Sequence, residues 1–339
     1  MNYTERYYRK VMGSIGLSML LFLVLINLVG FASFFMDRIL SEQAVLEPYA
    51  SIVYSISYGF GYLLSFMLPV ALLKGLLKKS PYTYQQMQTA LCVSPWAFLF
   101  IPVIVILAIS ASYVNVGFVR IYQVSSLTDA FVSESLSSTT PIDLVLQFFV
   151  MCAVPGFCEE FLFRGAILSN CLPFGKANAV MISAFLFAMM HQNPEQIFYT
   201  FVAGILLALL YIKTKSIWPG TIVHILNNFI SLLQYSVFEK NTDPLFGSAW
   251  MIAIELILFL LGILALFLLI SRFGTKKIDF SEGIYQKDIS ASDGYVTAAL
   301  SPKRAFRLFL TPSMIVFLSL CVLQIFVLIL MAVFNGLFV

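Results

Sequence analysis

Long apolar runs, most of them close to twenty residues and separated by short charged clusters, constrain this chain more than any other feature of its sequence. A helix rises about 1.5 Å per residue, so roughly 20 apolar residues carry it across the ~30 Å hydrocarbon layer of a bilayer. Within that layer every backbone N–H and C=O must be satisfied by the chain itself, which a helix does segment by segment. Nine runs fit, at 11–35, 52–73, 90–113, 144–167, 177–191, 196–212, 219–237, 249–270 and 308–338. The first is too long for the apolar centre of a signal peptide and reads as a retained span. The last has the length of one tilted helix or of two pieces. Only 11% of the 339 residues are charged, against about 25% in soluble globular chains, and 60% are hydrophobic. The fold class read from this pattern is all-α, a polytopic transmembrane bundle of about nine spans.

Lys and Arg give an orientation, because basic residues avoid translocated loops. With the N-terminus cytoplasmic, 17 of the 20 basic residues fall inside, and only Arg38, Arg120 and Lys240 fall outside. Dropping one span would scramble that split. The net charge of +3 is spread over separate cytoplasmic flanks and does not describe a nucleic-acid surface. Cys92, Cys152, Cys158, Cys171 and Cys321 lie in or beside apolar runs without metal-type spacing and read as small buried hydrophobes. Two polar stretches divide the chain, a Ser/Thr-rich one at 114–142 and a mixed charged loop at 272–304. Three regions follow: 1–142 with three spans, 143–237 with four, and 238–339 with two.

The middle region holds nearly all the unusual residues. An ionisable side chain at the centre of a span costs at least about 2.5 kcal/mol and marks a functional candidate. Glu159, Glu160 and Arg164 lie in the fourth span, and the two histidines, His191 and His224, lie in or beside the fifth and seventh. Glu160 and Arg164 are four residues apart and share a helix face, so they can pair. Glu159 is rotated by about 100° and points elsewhere, leaving one acid free. His224 and Asn228 share a face of the seventh span. Imidazole can orient or deprotonate water, and a His–Asn pair can donate two hydrogen bonds to a developing oxyanion. The set also has the donor types of a metal site, although its members are spread over three helices and no H-E-x-x-H helix exists. Glu255, alone in the eighth span, reads as a helix–helix hydrogen bond. Trp218 and the tyrosines near span ends suit interfacial anchoring.

Glu159-Glu160-x-x-x-Arg164, Phe187-x-x-x-His191 and His224-x-x-x-Asn228 match, in order, the EExxxR, FxxxH and HxxxN motifs of one family. On these residues the chain resembles the CAAX protease and bacteriocin-processing (CPBP, or Abi) intramembrane peptidases, which include the Ras-converting CAAX endoprotease. The resemblance covers about 144–233. It implies that Glu159 activates a hydrolytic water with help from His191, that His224 and Asn228 form the oxyanion hole, and that Glu160 and Arg164 shape the site. It implies no cofactor in a glutamate-type mechanism. In a zinc-dependent one, Glu159, His191 and His224 are the ligands. The implied activity is an intramembrane endopeptidase acting on a membrane-associated peptide or lipidated protein tail, in the cell membrane, through a cavity open to the cytoplasm. The competing reading is a non-catalytic binding, immunity or scaffold protein of the membrane on the same fold. A transporter with a Glu/His proton relay would show internal repeats or paired broken helices, and the sequence has neither.

Depth supplies a further expectation. His224 stands only about 6 residues past the turn at 217–218, which would put it about 10–15 Å from the level of Glu159 unless the 215–220 turn is recessed. A shared site therefore requires a recessed turn.

Overall fold

A computed structural model describes residues 3–41, 50–78, 141–233 and 300–337, with isolated helical positions at 102–106 and 253–271. Every element among the described residues is helical. They are α1 (Tyr3–Ser41), α2 (Ala50–Leu77), α3 (Ile142–Phe174), α4 (Lys176–Met190), α5 (Pro194–Thr214), α6 (Trp218–Leu233), α7 (Pro302–Phe309) and α8 (Pro312–Leu337). Five of these stretches are long and apolar enough to cross a membrane: Thr4–Leu40, Ile52–Leu77, Ile142–Phe174, Gln196–Thr214 and Pro312–Met331. The chain is an integral membrane protein built of helices. The expected spans at 90–113 and 249–270, apart from isolated helical positions, lie outside the described residues. So do Glu255, the Ser/Thr-rich segment and nearly all of the 272–304 loop.

The terminal run is broken. α7 ends at Phe309, Leu310 leaves the helical conformation, and α8 starts afresh at Pro312, whose fixed φ suits a first helical position. α4 has 15 residues, about 22 Å of rise, and so stops short of a bilayer's far face. His191 stands at the turn that follows, where Gln192 takes a left-handed φ of 53°.

α1 is the spine of the packing. Its Phe22 meets Phe66 of α2 edge-on at 4.8 Å between centroids. Its Gly16 lies so close to α8 that a β-carbon there would stand 2.6 Å from the Met314 backbone nitrogen. Tyr8 meets Phe174 edge-on at 5.0 Å, which ties α1 to the end of α3. Glu5 of α1 and Arg304 of α7 form a two-point ion pair at 2.7 and 2.9 Å. One apolar cluster runs through α1, α2, α3, α4, α5 and α8, from Tyr8 through Phe66, Phe163 and Ala208 to Phe317.

α3 and α4 form the expected hairpin, turning through Leu172–Phe174 into Gly175. Gly175 has φ 122°, a conformation that any side chain would strain. α5 and α6 are joined by a tight buried turn. Lys215 has φ 53°, Ser216 and Ile217 are buried, and the Ser216 Oγ accepts from the Trp218 N–H at 3.3 Å to cap α6. Within the 215–220 turn Ser216, Ile217, Pro219 and Gly220 are buried while Lys215 is exposed.

Candidate active site

α3 is not a uniform helix. Its α-helical stretch Val154–Glu160 lies between two wider, π-helical segments, Phe148–Ala153 and Phe161–Leu168. Such turns are rare and cluster at functional sites. Pro155 has no N–H, so the carbonyl of Met151, four residues earlier, loses its α-helical donor. The Asn228 Nδ2 of α6 donates to that carbonyl at 3.3 Å. A local defect in one helix is thus repaired by a side chain of another, and the repair fixes where α6 sits against α3.

Glu159 and Glu160 end the α-helical stretch, both buried. Arg164, fully buried, donates through Nη1 to Glu160 Oε1 at 2.6 Å and through Nη2 to the Gly204 carbonyl of α5 at 3.1 Å. The pairing of Glu160 with Arg164 is the one their spacing predicted. Charges this far from water interact strongly, and an unpaired one would cost several kcal/mol, so each member of this pair offsets the burial of the other.

The two imidazoles come from other helices. His191, at the end of α4, donates from Nδ1 to the Phe187 carbonyl at 2.8 Å. A carbonyl only accepts, so the proton is on Nδ1 and the Nε2 of a neutral ring is left as the base. His224 of α6 sits between the acids: Nδ1 is 3.3 Å from Glu160 Oε1 and Nε2 is 3.6 Å from Glu159 Oε2. At 3.6 Å, His224 and Glu159 share one site, without the offset of about 10–15 Å that an unrecessed turn would impose. Phe187 is the hub: the Arg164 guanidinium lies 4.5 Å from its centroid, and both imidazoles meet its ring edge-on, at 5.0 Å for His191 and 5.8 Å for His224. Arg164 over an aromatic face adds a cation–π attraction to its ion pair.

Asn228 lies one turn beyond His224. Its Oδ1 accepts from Asn227 Nδ2 at 3.4 Å, and Asn227 also donates to the Tyr199 hydroxyl of α5 at 2.6 Å. The Asn228 amide is therefore oriented as a donor, with one N–H given to Met151 and a second remaining.

Three contributors were not singled out from the sequence. Tyr62 of α2 donates its hydroxyl to Glu159 Oε1 at 2.6 Å. It stands near the middle of α2, not at a span end, so anchoring at the interface is not its role. A polar tip every fourth residue within an apolar run (Tyr54, Tyr58, Tyr62) was the available signal. Asn227 and Tyr199 were the second pair missed. Third, Gly220 is close enough that a β-carbon would stand 2.8 Å from Glu160 Oε2. Gly→Ala inside a helix ordinarily stabilises by up to about 1 kcal/mol. Here the methyl must push a carboxylate pinned by Arg164, so Gly220→Ala is expected to destabilise by about 1–3 kcal/mol. Thermal unfolding in detergent, with Gly30→Ala as the control because its β-carbon would meet nothing within 4 Å, checks the sign.

Two carboxylate oxygens, Glu159 Oε2 and Glu160 Oε2, are buried without a hydrogen-bond partner. Orphaned buried acceptors are uncommon and call for an explanation. Zinc is a poor one. Among the described residues no three His, Cys, Asp or Glu side chains converge as a ligand set. Glu160 is taken up by Arg164, and the His191 Nδ1 by a backbone carbonyl.

Comparison with known proteins bears on the same segment. The family model described as type II CAAX prenyl endopeptidase Rce1-like matches residues 141–230, which spans the two acids, both histidines and Asn228. No curated protein and no solved structure gives a significant match to the chain.

Proposed function

With residues 141–230 matching the Rce1-like CAAX protease family, we propose that the protein is an intramembrane endopeptidase that hydrolyses a peptide bond by a glutamate-activated water. The observation that carries this reading is the orphaned Glu159 Oε2, buried 3.6 Å from the His224 Nε2, with its companion oxygen tied to Tyr62. Such an oxygen is what a general base offers to a water.

The reaction runs in two steps. Water attacks the scissile carbonyl carbon while one of its protons passes to Glu159 Oε2, and His191 Nε2 accepts a hydrogen bond that orients the same water. The carbonyl π electrons move onto oxygen, and that oxyanion is met by the His224 Nε2–H and the second N–H of Asn228. Collapse re-forms the carbonyl, breaks the C–N bond, and Glu159 returns its proton to the leaving amine. His224 Nδ1 faces Glu160 Oε1 at 3.3 Å, which orients the ring so that Nε2 lies beside Glu159 Oε2 at 3.6 Å. Glu160 and Arg164 do no chemistry in this scheme; they hold His224.

The substrate is a membrane-associated tail, and the family's name makes a prenylated CAAX-type peptide the first probe. Purified protein given a farnesylated peptide of that type should release its C-terminal fragment, and the Glu159→Gln variant should not. Binding of the peptide without cleavage by the wild-type protein would favour a non-catalytic binding role instead. A metal chelator is expected to leave the rate unchanged. Loss of activity on chelation, restored by zinc, would overturn the glutamate-type mechanism. The proposed topology has about nine spans and a cytoplasmic N-terminus, with the site open to the cytoplasm. The distribution of basic residues supports it.

A further inference from the structure

We infer that Tyr62 is a positioning residue for the Glu159 carboxylate, so that the active site is completed by α2, a helix outside the 141–230 family segment. This rests on the hydrolytic reading above and deepens it. A carboxylate on a two-carbon stem can swing, and in a site with an orphaned oxygen something must decide which oxygen faces the water. The Tyr62 hydroxyl donates to Oε1 at 2.6 Å, a short charge-assisted bond, and leaves Oε2 as the oxygen of that carboxylate without a hydrogen bond, 3.6 Å from His224 Nε2.

The bond is made by a side chain with little freedom of its own. Tyr62 stacks on Phe66 at 4.8 Å and 29° between ring planes, and on its other side lies 6.0 Å from Tyr58, itself stacked on Tyr54 at 6.1 Å and 9°. Phe66 is in turn held edge-on by Phe22 of α1. The ladder fixes the hydroxyl against α2, and α1 fixes the ladder. On α3 the counterpart is equally constrained, since Gly59 lets α2 approach until a β-carbon would touch the Val150 side chain at 3.4 Å. Positioning shells of this kind set reacting atoms to within about 0.5 Å, and a loose one lowers the rate without changing the chemistry.

Tyr62→Phe removes only the hydroxyl and keeps both ring contacts. In cleavage of a farnesylated CAAX-type peptide it is expected to lower kcat by about 10- to 100-fold, the range for loss of one hydrogen bond to a charged group, with KM within about twofold of wild type. Tyr58→Phe, one turn away on the same ladder, is expected to leave both constants within about twofold, because packing alone is common to the two positions. Three results overturn the inference while leaving the hydrolase intact: a Tyr62→Phe kcat equal to wild type where Glu159→Gln is inactive, equal losses in Tyr62→Phe and Tyr58→Phe, or a change confined to KM. Full activity in Glu159→Gln would instead overturn the hydrolytic reading, and the positioning role with it. Thermal unfolding of each variant in detergent, with a folded transition retained in each, separates these outcomes from misfolding.

Discussion

Glu159→Gln is expected to reduce peptide cleavage by at least about 10³-fold, the upper part of the range for general acid–base groups, while leaving the protein folded. The amide is isosteric with the carboxylate, and its oxygen can still accept from Tyr62 as Glu159 Oε1 does at 2.6 Å. What it cannot do is take a proton from water or return one to a leaving amine. It is also uncharged, so its burial in α3 costs less than that of the carboxylate. The expected signature is therefore a thermal midpoint at or above wild type combined with loss of kcat. The measurement is single-turnover cleavage of a lipidated peptide at saturating enzyme, which separates chemistry from binding and release. A variant that cuts as fast as wild type would remove Glu159 as the base. In that case His191, whose Nε2 is the remaining unprotonated nitrogen, becomes the group to test. Loss of peptide binding in the variant, with chemistry unchanged once bound, would make Glu159 a recognition group instead.

Much of this site was legible in the sequence because helical spacing is a strict ruler. The Glu160–Arg164 pair and the His224–Asn228 face follow from residues four apart on one helix. Counting rise per residue raised the question of how His224 could reach the acids, and its Nε2 lies 3.6 Å from Glu159 Oε2. What the spacing did not carry is partnership between helices distant in sequence. Tyr62 and Glu159 are 97 residues apart, and nothing local in α2 announces an acid in α3. Phe187 stood in a recognisable motif, but only the packed structure reveals Arg164 over its face and two imidazoles at its edge. Asn228 is a mixed case. Its spacing from His224 was readable, whereas its bond to the Met151 carbonyl depends on a wide turn in α3 and on the missing N–H of Pro155. Periodicity assumed 3.6 residues per turn, and α3 departs from that on both sides of the acids.

Arg164→Leu is expected to be the most destabilising single change in the site, by about 3–5 kcal/mol, the range for stranding one member of a buried ion pair. Arg164 is wholly buried, and its loss would remove the donor to Glu160 Oε1, the donor to the Gly204 carbonyl and the cation over Phe187. The first of these should dominate. A buried carboxylate without its cation carries a desolvation penalty that two weaker contacts do not approach, and Gly204 keeps its place against α4 through close packing on Ala184. That ordering can be tested by adding Glu160→Gln to Arg164→Leu. Replacing both members of a buried pair by uncharged groups is often close to neutral, so the double variant should recover most of the lost thermal stability. The amide oxygen introduced at position 160 can still accept from His224 Nδ1, which lies 3.3 Å from Glu160 Oε1 in the wild type, so the imidazole should keep its place between the two positions. Cleavage should return only in part, because an amide oxygen holds the His224 ring less firmly than a carboxylate does. Failure of the double variant to regain stability would shift the weight to the Gly204 and Phe187 contacts. A single variant as stable as wild type would overturn Arg164 as the partner on which the burial of Glu160 depends.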